Sequence, residues 1–131
     1  MTKKELSQLY YLNKEITAEK QRLAELEALA TNTSSKISGL PHINSISDKT
    51  AIAAQIADIK IALEAKIQRS IVEYKKLSLY ITTINDSLMR QILTYRFIDG
   101  LSWVAVALKC GGGNTASGCQ MAFSRFLKKL N

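Results

Sequence analysis

Helix breakers and reactive side chains are scarce in this chain of 131 residues: one proline, six glycines, two cysteines, one histidine and one tryptophan. Three of the glycines are consecutive, Gly111, Gly112 and Gly113, so long stretches are free of breakers and an all-α fold is expected. No apolar run approaches the roughly 20 residues that span a bilayer, and the N-terminus begins polar without a signal-peptide segment. No membrane partner and a cytoplasmic location are therefore expected. Cys110 and Cys119 have no Cys or His neighbours at metal-ligand spacing and read as a pair of buried, reduced thiols. His42 stands beside Pro41 with no second His, Cys or placed carboxylate, and reads as a surface residue. Ser-His-Asp, Cys-His, paired-carboxylate and phosphate-loop arrangements are all missing, and the glycine run lacks the Lys-Ser/Thr of a nucleotide loop. An enzyme is not expected, nor a cofactor or a metal.

What is present is positive charge and helical periodicity. The formal charge of +7 divides into 0 over residues 1–31, +3 over 32–85 and +4 over 86–131. Such an excess points first to nucleic acid, although many basic proteins merely have solvated surfaces.

From Lys3 to about Ala30, Leu9, Leu12, Ile16, Leu23, Leu26 and Ala30 recur at coiled-coil spacing, with Glu19 in the one polar seam position. One long helix is expected. Thr31 to Ser35, Gly39, Pro41, Asn44 and Ser47 break the pattern, giving a loop over about 31–49. Asp48 or Thr50 then caps a second long helix, whose stripe runs through Ile52, Ile56, Ile59, Leu63, Ile67, Ser70, Tyr74, Leu77, Ile81 and Ile84. The two helices are expected to form an antiparallel hairpin (a coiled coil) over residues 1–85. Ile61, Ile71 and Leu79 lie off the main seam and suggest a wider buried face, which a homodimer through the hairpin would supply.

Residues 86–131 read as a second domain of three short helices. Asn85-Asp86-Ser87 is a cap signal for the first, which stops at Asp99-Gly100; Ser102 caps the next, from Trp103 to about Cys110. After the glycine turn, Asn114 or Thr115 starts the last helix, to about Leu130. A tight turn between the last two is the layout of a helix-turn-helix. Val106, Ala107 and Cys110 would face inward on one helix, and Cys119, Ala122, Phe123, Phe126 and Leu130 on the other. Val104, Ala105 and Leu108 are apolar where a small exposed helix is normally polar, so either the hairpin packs over them, the favoured alternative, or a protein partner does.

The candidate DNA-contacting residues are Asn114, Thr115, Ser117, Gln120, Met121, Ser124, Arg125 and Lys128. A Gln120 amide can pair with an adenine edge in the major groove. Asn114, Thr115 and Ser117 lie where hydroxyls and free backbone amides suit phosphate, and Arg125, Lys128 and Lys129 could reach phosphates farther along. Against this, Asn114 and Thr115 can simply cap the helix, and the charges from Arg125 to Lys129 can be a solvated end that suits the helix dipole. Gly118 inside the helix costs about 1 kcal/mol relative to alanine unless a close approach repays it.

Arg96-Phe97, Gly100-Leu101-Ser102-Trp103 and Gly111-Gly112-Gly113-Asn114-Thr115 carry a resemblance. The run from Leu93 to Leu130 resembles region four of bacterial sigma factors. It is more similar still to small phage and prophage transcriptional regulators with a sigma-like C-terminus behind a coiled-coil N-terminus. The resemblance implies promoter binding through the last helix, with double-stranded DNA as the partner and RNA polymerase as a second one. It implies no promoter melting, because nothing matches those regions of a complete sigma factor. Val104 and Ala105 replace the acidic residues usual in region four, and Ala116, Ser117 and Gly118 stand where its recognition helix is richer in Arg and Lys. Two other functions fit the same layout: a small terminase-like DNA-packaging adaptor, and a protein-only interaction module that uses Val104 and Leu108.

Overall fold

A computed structural model describes residues 1–31 and 46–130. Those residues are mainly helical, with no strand among them. The elements are α1 (Lys3–Leu6), α2 (Gln8–Thr31), α3 (Ile46–Thr82), α4 (Ser87–Leu93) with a π-helical extension (Thr94–Ile98), α5 (Trp103–Cys110) and α6 (Ala116–Leu130). No helix among the described residues is long and apolar enough to cross a membrane. His42, Pro41 and most of the expected loop lie outside the described residues.

Three boundaries differ from expectation. The first long helix is interrupted at Ser7, whose hydroxyl donates to the Lys3 carbonyl at 2.8 Å and whose amide donates to the same oxygen at 3.0 Å. Ser7, at φ −83° and ψ −8°, is the C-cap residue that divides α1 from α2. α3 begins at Ile46, so Asp48 and Thr50 lie within its first turns rather than before it. The third helix does not close as an ordinary α-turn. It widens over Thr94–Ile98, with the Asp99 amide reaching back to the Thr94 carbonyl at 3.0 Å. Thr94 Oγ1 donates to the Arg90 carbonyl at 2.7 Å, occupying an acceptor of the preceding turn.

The chain's contacts form two units, to both of which α2 and α3 contribute. One comprises residues 14–69. Here Ile16 and Leu63 are buried, with Leu23, Leu26, Ile52, Ile56, Ile59 and Ile67 half-buried. Glu19, the polar residue of the seam, receives Lys66 Nζ at 3.0 Å, both side chains being largely shielded. Glu27 lies 3.7 Å from Lys60 in a more exposed pair. As the first partner advances along α2 the second retreats along α3, so the helices run in opposite directions. The outer pair adds little stability, whereas the shielded Glu19–Lys66 pair would be left uncompensated by a shift in register. Ile61 is 72% exposed.

The other unit joins residues 1–13 to residues 70–131. Its core is Leu6, Leu9, Leu77, Ile81, Ile84, Met89, Ile92, Leu93, Phe97, Val106, Ala107, Cys119 and Phe123. Leu6, Ile92, Leu93 and Val106 have no exposed surface. Asp86 caps α4, its Oδ1 accepting from the amides of Leu88 at 3.0 Å and Met89 at 3.4 Å. Tyr74, expected on the buried stripe, is half exposed, and nothing in the structure explains it. The off-seam Ile71 and Leu79 are 42% and 69% exposed.

Leu6 precedes the nearest C-terminal core residue by more than a third of the chain, yet it is sealed from water. Leu6→Ala should therefore destabilise this unit by about 2–5 kcal/mol through lost burial and the cavity left behind. Urea unfolding followed by the fluorescence of Trp103, the only tryptophan, reads this unit directly. A loss under about 1 kcal/mol would show that the N-terminal segment is not part of the core.

Candidate nucleic-acid interface

The surface in question is built from α4 upward. Ile92, Leu93 and Phe97 anchor α4 and its extension in the core, and the wide turn delivers Arg96 to a fixed place. Its Nη1 donates to the Leu101 carbonyl at 2.9 Å, and its guanidinium lies 4.8 Å from the Trp103 ring centre and 5.9 Å from that of Tyr10. Gly100 between them has φ +70°, and a Cβ there would stand 3.4 Å from the Tyr10 ring. Ser102 then caps α5, accepting from the Ala105 amide at 3.2 Å. The Arg96-to-Trp103 stretch is thus a folding clasp whose side chains hold α5 against α4.

α5 and α6 meet through Val106, Ala107, Cys119 and Phe123, with the Phe123 ring 5.1 Å from Phe97 and 5.8 Å from Trp103. Burial, and then the adjacent Cys119 thiol, push the Cys110 thiol above its ordinary pKa, so little thiolate forms near neutrality. Both cysteines are free. The connection is Gly111-Gly112-Gly113, each at positive φ between 62° and 78°, as the sequence suggests for that run. Only residues without a Cβ make three such angles in succession without strain.

Asn114 and Thr115 have local work. Asn114 Nδ2 donates to the Gly111 carbonyl at 2.6 Å, closing the turn. Thr115 Oγ1 accepts from the Gly118 amide at 3.0 Å, and the Cys119 amide donates to the Thr115 carbonyl at 2.9 Å, which makes Thr115 the helix cap. A Cβ on Gly118 would stand 3.0 Å from that Oγ1, so the close approach that accommodates this glycine is to the capping hydroxyl.

All eight sequence-derived candidates are exposed: Asn114, Thr115, Ser117, Gln120, Met121, Ser124, Arg125 and Lys128. Ser117, Met121, Ser124 and Lys128 follow steps of four, three and four residues and so share one face, with Gln120 and Arg125 on its two flanks. Cys119, Phe123, Ala122 and Phe126 are turned to the other side. Leu130, expected to face inward, is 47% exposed at the last residue of α6. Ser124 Oγ donates to the Gln120 carbonyl of its own helix at 3.1 Å. From Gly100 to the end of the chain there is no acidic residue, against four basic ones.

Two features escape a linear reading. Val104 and Leu108 are 62% and 78% exposed, so nothing in their own unit packs over them. And the N-terminal segment reaches α6: Lys3, Ser7, Tyr10 and Tyr11 line a cleft together with Gln120 and Ser124. No local signal in residues 1–13 announces this; only the oversized aromatic pair Tyr10-Tyr11 hints that the segment packs on something. Among the described residues no group of three His, Cys, Asp or Glu is placed to hold a metal ion.

The cap assignment is open to test. Thr115→Ala should cost about 1 kcal/mol of stability by removing the Gly118 amide's acceptor, and Thr115→Ser should restore most of it. Thermal unfolding of the two variants decides, and a serine variant as unstable as the alanine one would refute the capping role. No family model, no curated protein and no solved structure matches the chain.

Proposed function

We propose that this protein is a DNA-binding transcriptional regulator of the phage or prophage kind. On this reading α5 and α6 act as a helix-turn-helix, carried behind an antiparallel helical hairpin, and residues Asn114 to Lys128 meet promoter DNA. The observation that carries the reading is the outward face of α6, which is polar to basic apart from Met121, exposed, and opposite the face packed on α5. The absence of any carboxylate after Asp99 supports it, because a phosphate-facing surface is penalised by every acidic group it holds. The resemblance to sigma region four adds a reason to expect a promoter as the target.

Within this scheme Gln120 reads a base edge, and Arg125 and Lys128 hold phosphates. Asn114 and Thr115 act chiefly by presenting the first turn of α6, since their side chains close the turn and cap the helix. Free backbone amides in that turn remain the natural donors to a phosphate.

The exposure of Val104 and Leu108 favours a second role for α5. A pair of large apolar side chains four residues apart, open to water, suits a protein partner, and RNA polymerase is the one a promoter-bound regulator meets. Loss of polymerase pull-down in Leu108→Asp, with DNA binding intact, would support it.

Selection from a random duplex library at moderate salt tests the main reading, and an enriched motif is expected. On that motif Gln120→Ala should lose about 1–3 kcal/mol of discrimination against the mismatched base pair. Lys128→Ala should weaken all duplexes alike and reduce the salt slope of log K by about 0.9. An unenriched pool, or a Gln120→Ala loss equal on cognate and scrambled DNA, would remove base reading by α6.

A further inference from the structure

The cleft beside α6 encloses about 200 Å³, and its composition is one-sided. Two cations, Lys3 and Arg96, share its wall with the polar groups of Ser7, Tyr11, Gln120 and Ser124, and no carboxylate is among the lining residues. The cations differ in kind. Arg96 is immobilised by the Leu101 carbonyl and the Trp103 ring, with one N–H engaged out of the several that a guanidinium carries. Lys3 is exposed and joins no ion pair among the described residues. Two positive charges at one cleft without a counter-charge repel each other, and an anion between them turns that repulsion into attraction.

We infer that the cleft receives a backbone phosphate of the duplex that α6 contacts, which makes the N-terminal helix α1 a second DNA-contacting element. This rests on the DNA-binding reading above. The position of the cleft selects DNA over a free anion. Gln120 and Ser124 belong both to the cleft wall and to the exposed face of α6, and both stay exposed with α1 in place. A ligand on that face therefore borders the cleft directly. Ser117, Met121, Arg125 and Lys128 do not line it, so α1 borders the face on the Gln120 side and leaves the rest open. Fixed Arg96 would set where the phosphate sits, exposed Lys3 would add charge, and the Tyr11 hydroxyl would donate to its oxygens, the Ser7 hydroxyl being already given to the Lys3 carbonyl. Phosphate contacts on the flank of a reading helix fix its register while carrying no sequence information.

Salt-dependent titration of full-length protein against its selected duplex and a scrambled one tests this, with circular dichroism confirming that each variant is folded. Lys3→Gln should weaken both duplexes about threefold to tenfold and reduce the salt slope by about 0.9. Tyr11→Phe should weaken both about twofold with the slope unchanged, since it removes a neutral donor. Lys4→Gln removes the same charge one residue away, outside the cleft wall, and should change neither quantity by more than about 1.5-fold. Wild-type affinity in Lys3→Gln, or an equal loss in Lys4→Gln, overturns the inference while leaving base reading by α6 intact. So does binding of inorganic phosphate that Lys3→Gln abolishes with DNA affinity unchanged, which would make the cleft a free-anion site. Wild-type protein that binds no duplex removes the DNA-binding reading itself, an outcome distinct from all of these.

Discussion

The Arg96 guanidinium is the point on which the C-terminal unit depends. It is tied to the Leu101 carbonyl, lies over Trp103 and reaches the Tyr10 ring, so one side chain links the π-helical extension, the start of α5 and the start of α2. Each link constrains the next. The extension must widen to present Arg96 while Phe97 stays buried, and Gly100 must take a positive φ close against Tyr10. Ser102 must then cap α5 where Trp103 can meet both Arg96 and Phe123. Phe123 in turn fixes which side of α6 is buried, and so which side faces water. The orientation of the proposed reading face thus follows from a cation held two elements earlier in the chain.

Local demands of the chain are legible in its sequence, and contacts between distant segments are not. Periodicity located the buried side of α6 at Cys119 and Phe123, because a three-and-four spacing is a property of one helix alone. The glycine run at 111–113 announced its turn because positive φ is a local demand. Boundaries were less legible: Ser7, which divides α1 from α2, looks like any surface serine in the sequence, and α3 starts before its acidic cap signal. The π-helical extension has no periodic signature, since it alters the phase by a fraction of a turn. Least legible was the return of residues 1–13 to the C-terminal helices, because contacts between distant segments leave no spacing to measure. Glu19 is an intermediate case: its polar character in an apolar seam was visible, its partner Lys66 was not.

Motif residues also divide differently from what a motif suggests. Arg96, Gly100, Ser102 and Trp103 carry much of the resemblance to sigma region four, and in this structure they serve the fold, with Arg96 and Trp103 also reaching the cleft wall. Asn114 and Thr115 likewise spend their polar atoms on the turn and the cap. A resemblance concentrated in such residues is evidence that the scaffold is similar. Sequence-reading specificity would reside in side chains the motif does not include, on the open face of α6.

That division bears on how a helix this poor in cations could hold DNA. The first two turns of α6 contain no lysine or arginine, and its charge is gathered at Arg125, Lys128 and Lys129 in the second half. A duplex lying along the face would be held at one end by those residues and at the other only by backbone amides. Lys3 and Arg96, brought from elsewhere in the chain to a cleft that touches α6 at Gln120, Phe123, Ser124 and Leu127, place positive charge on the flank of the helix near its middle. Attraction on the flank as well as at the C-terminal end would resist rotation of the proposed reading face in the groove, whereas attraction at one end alone would leave Gln120 free to swing away from a base edge. The shortage of basic residues on α6 would in this sense be offset from α1 and the π-helical extension, so that a helix of weak charge could still present a fixed reading face.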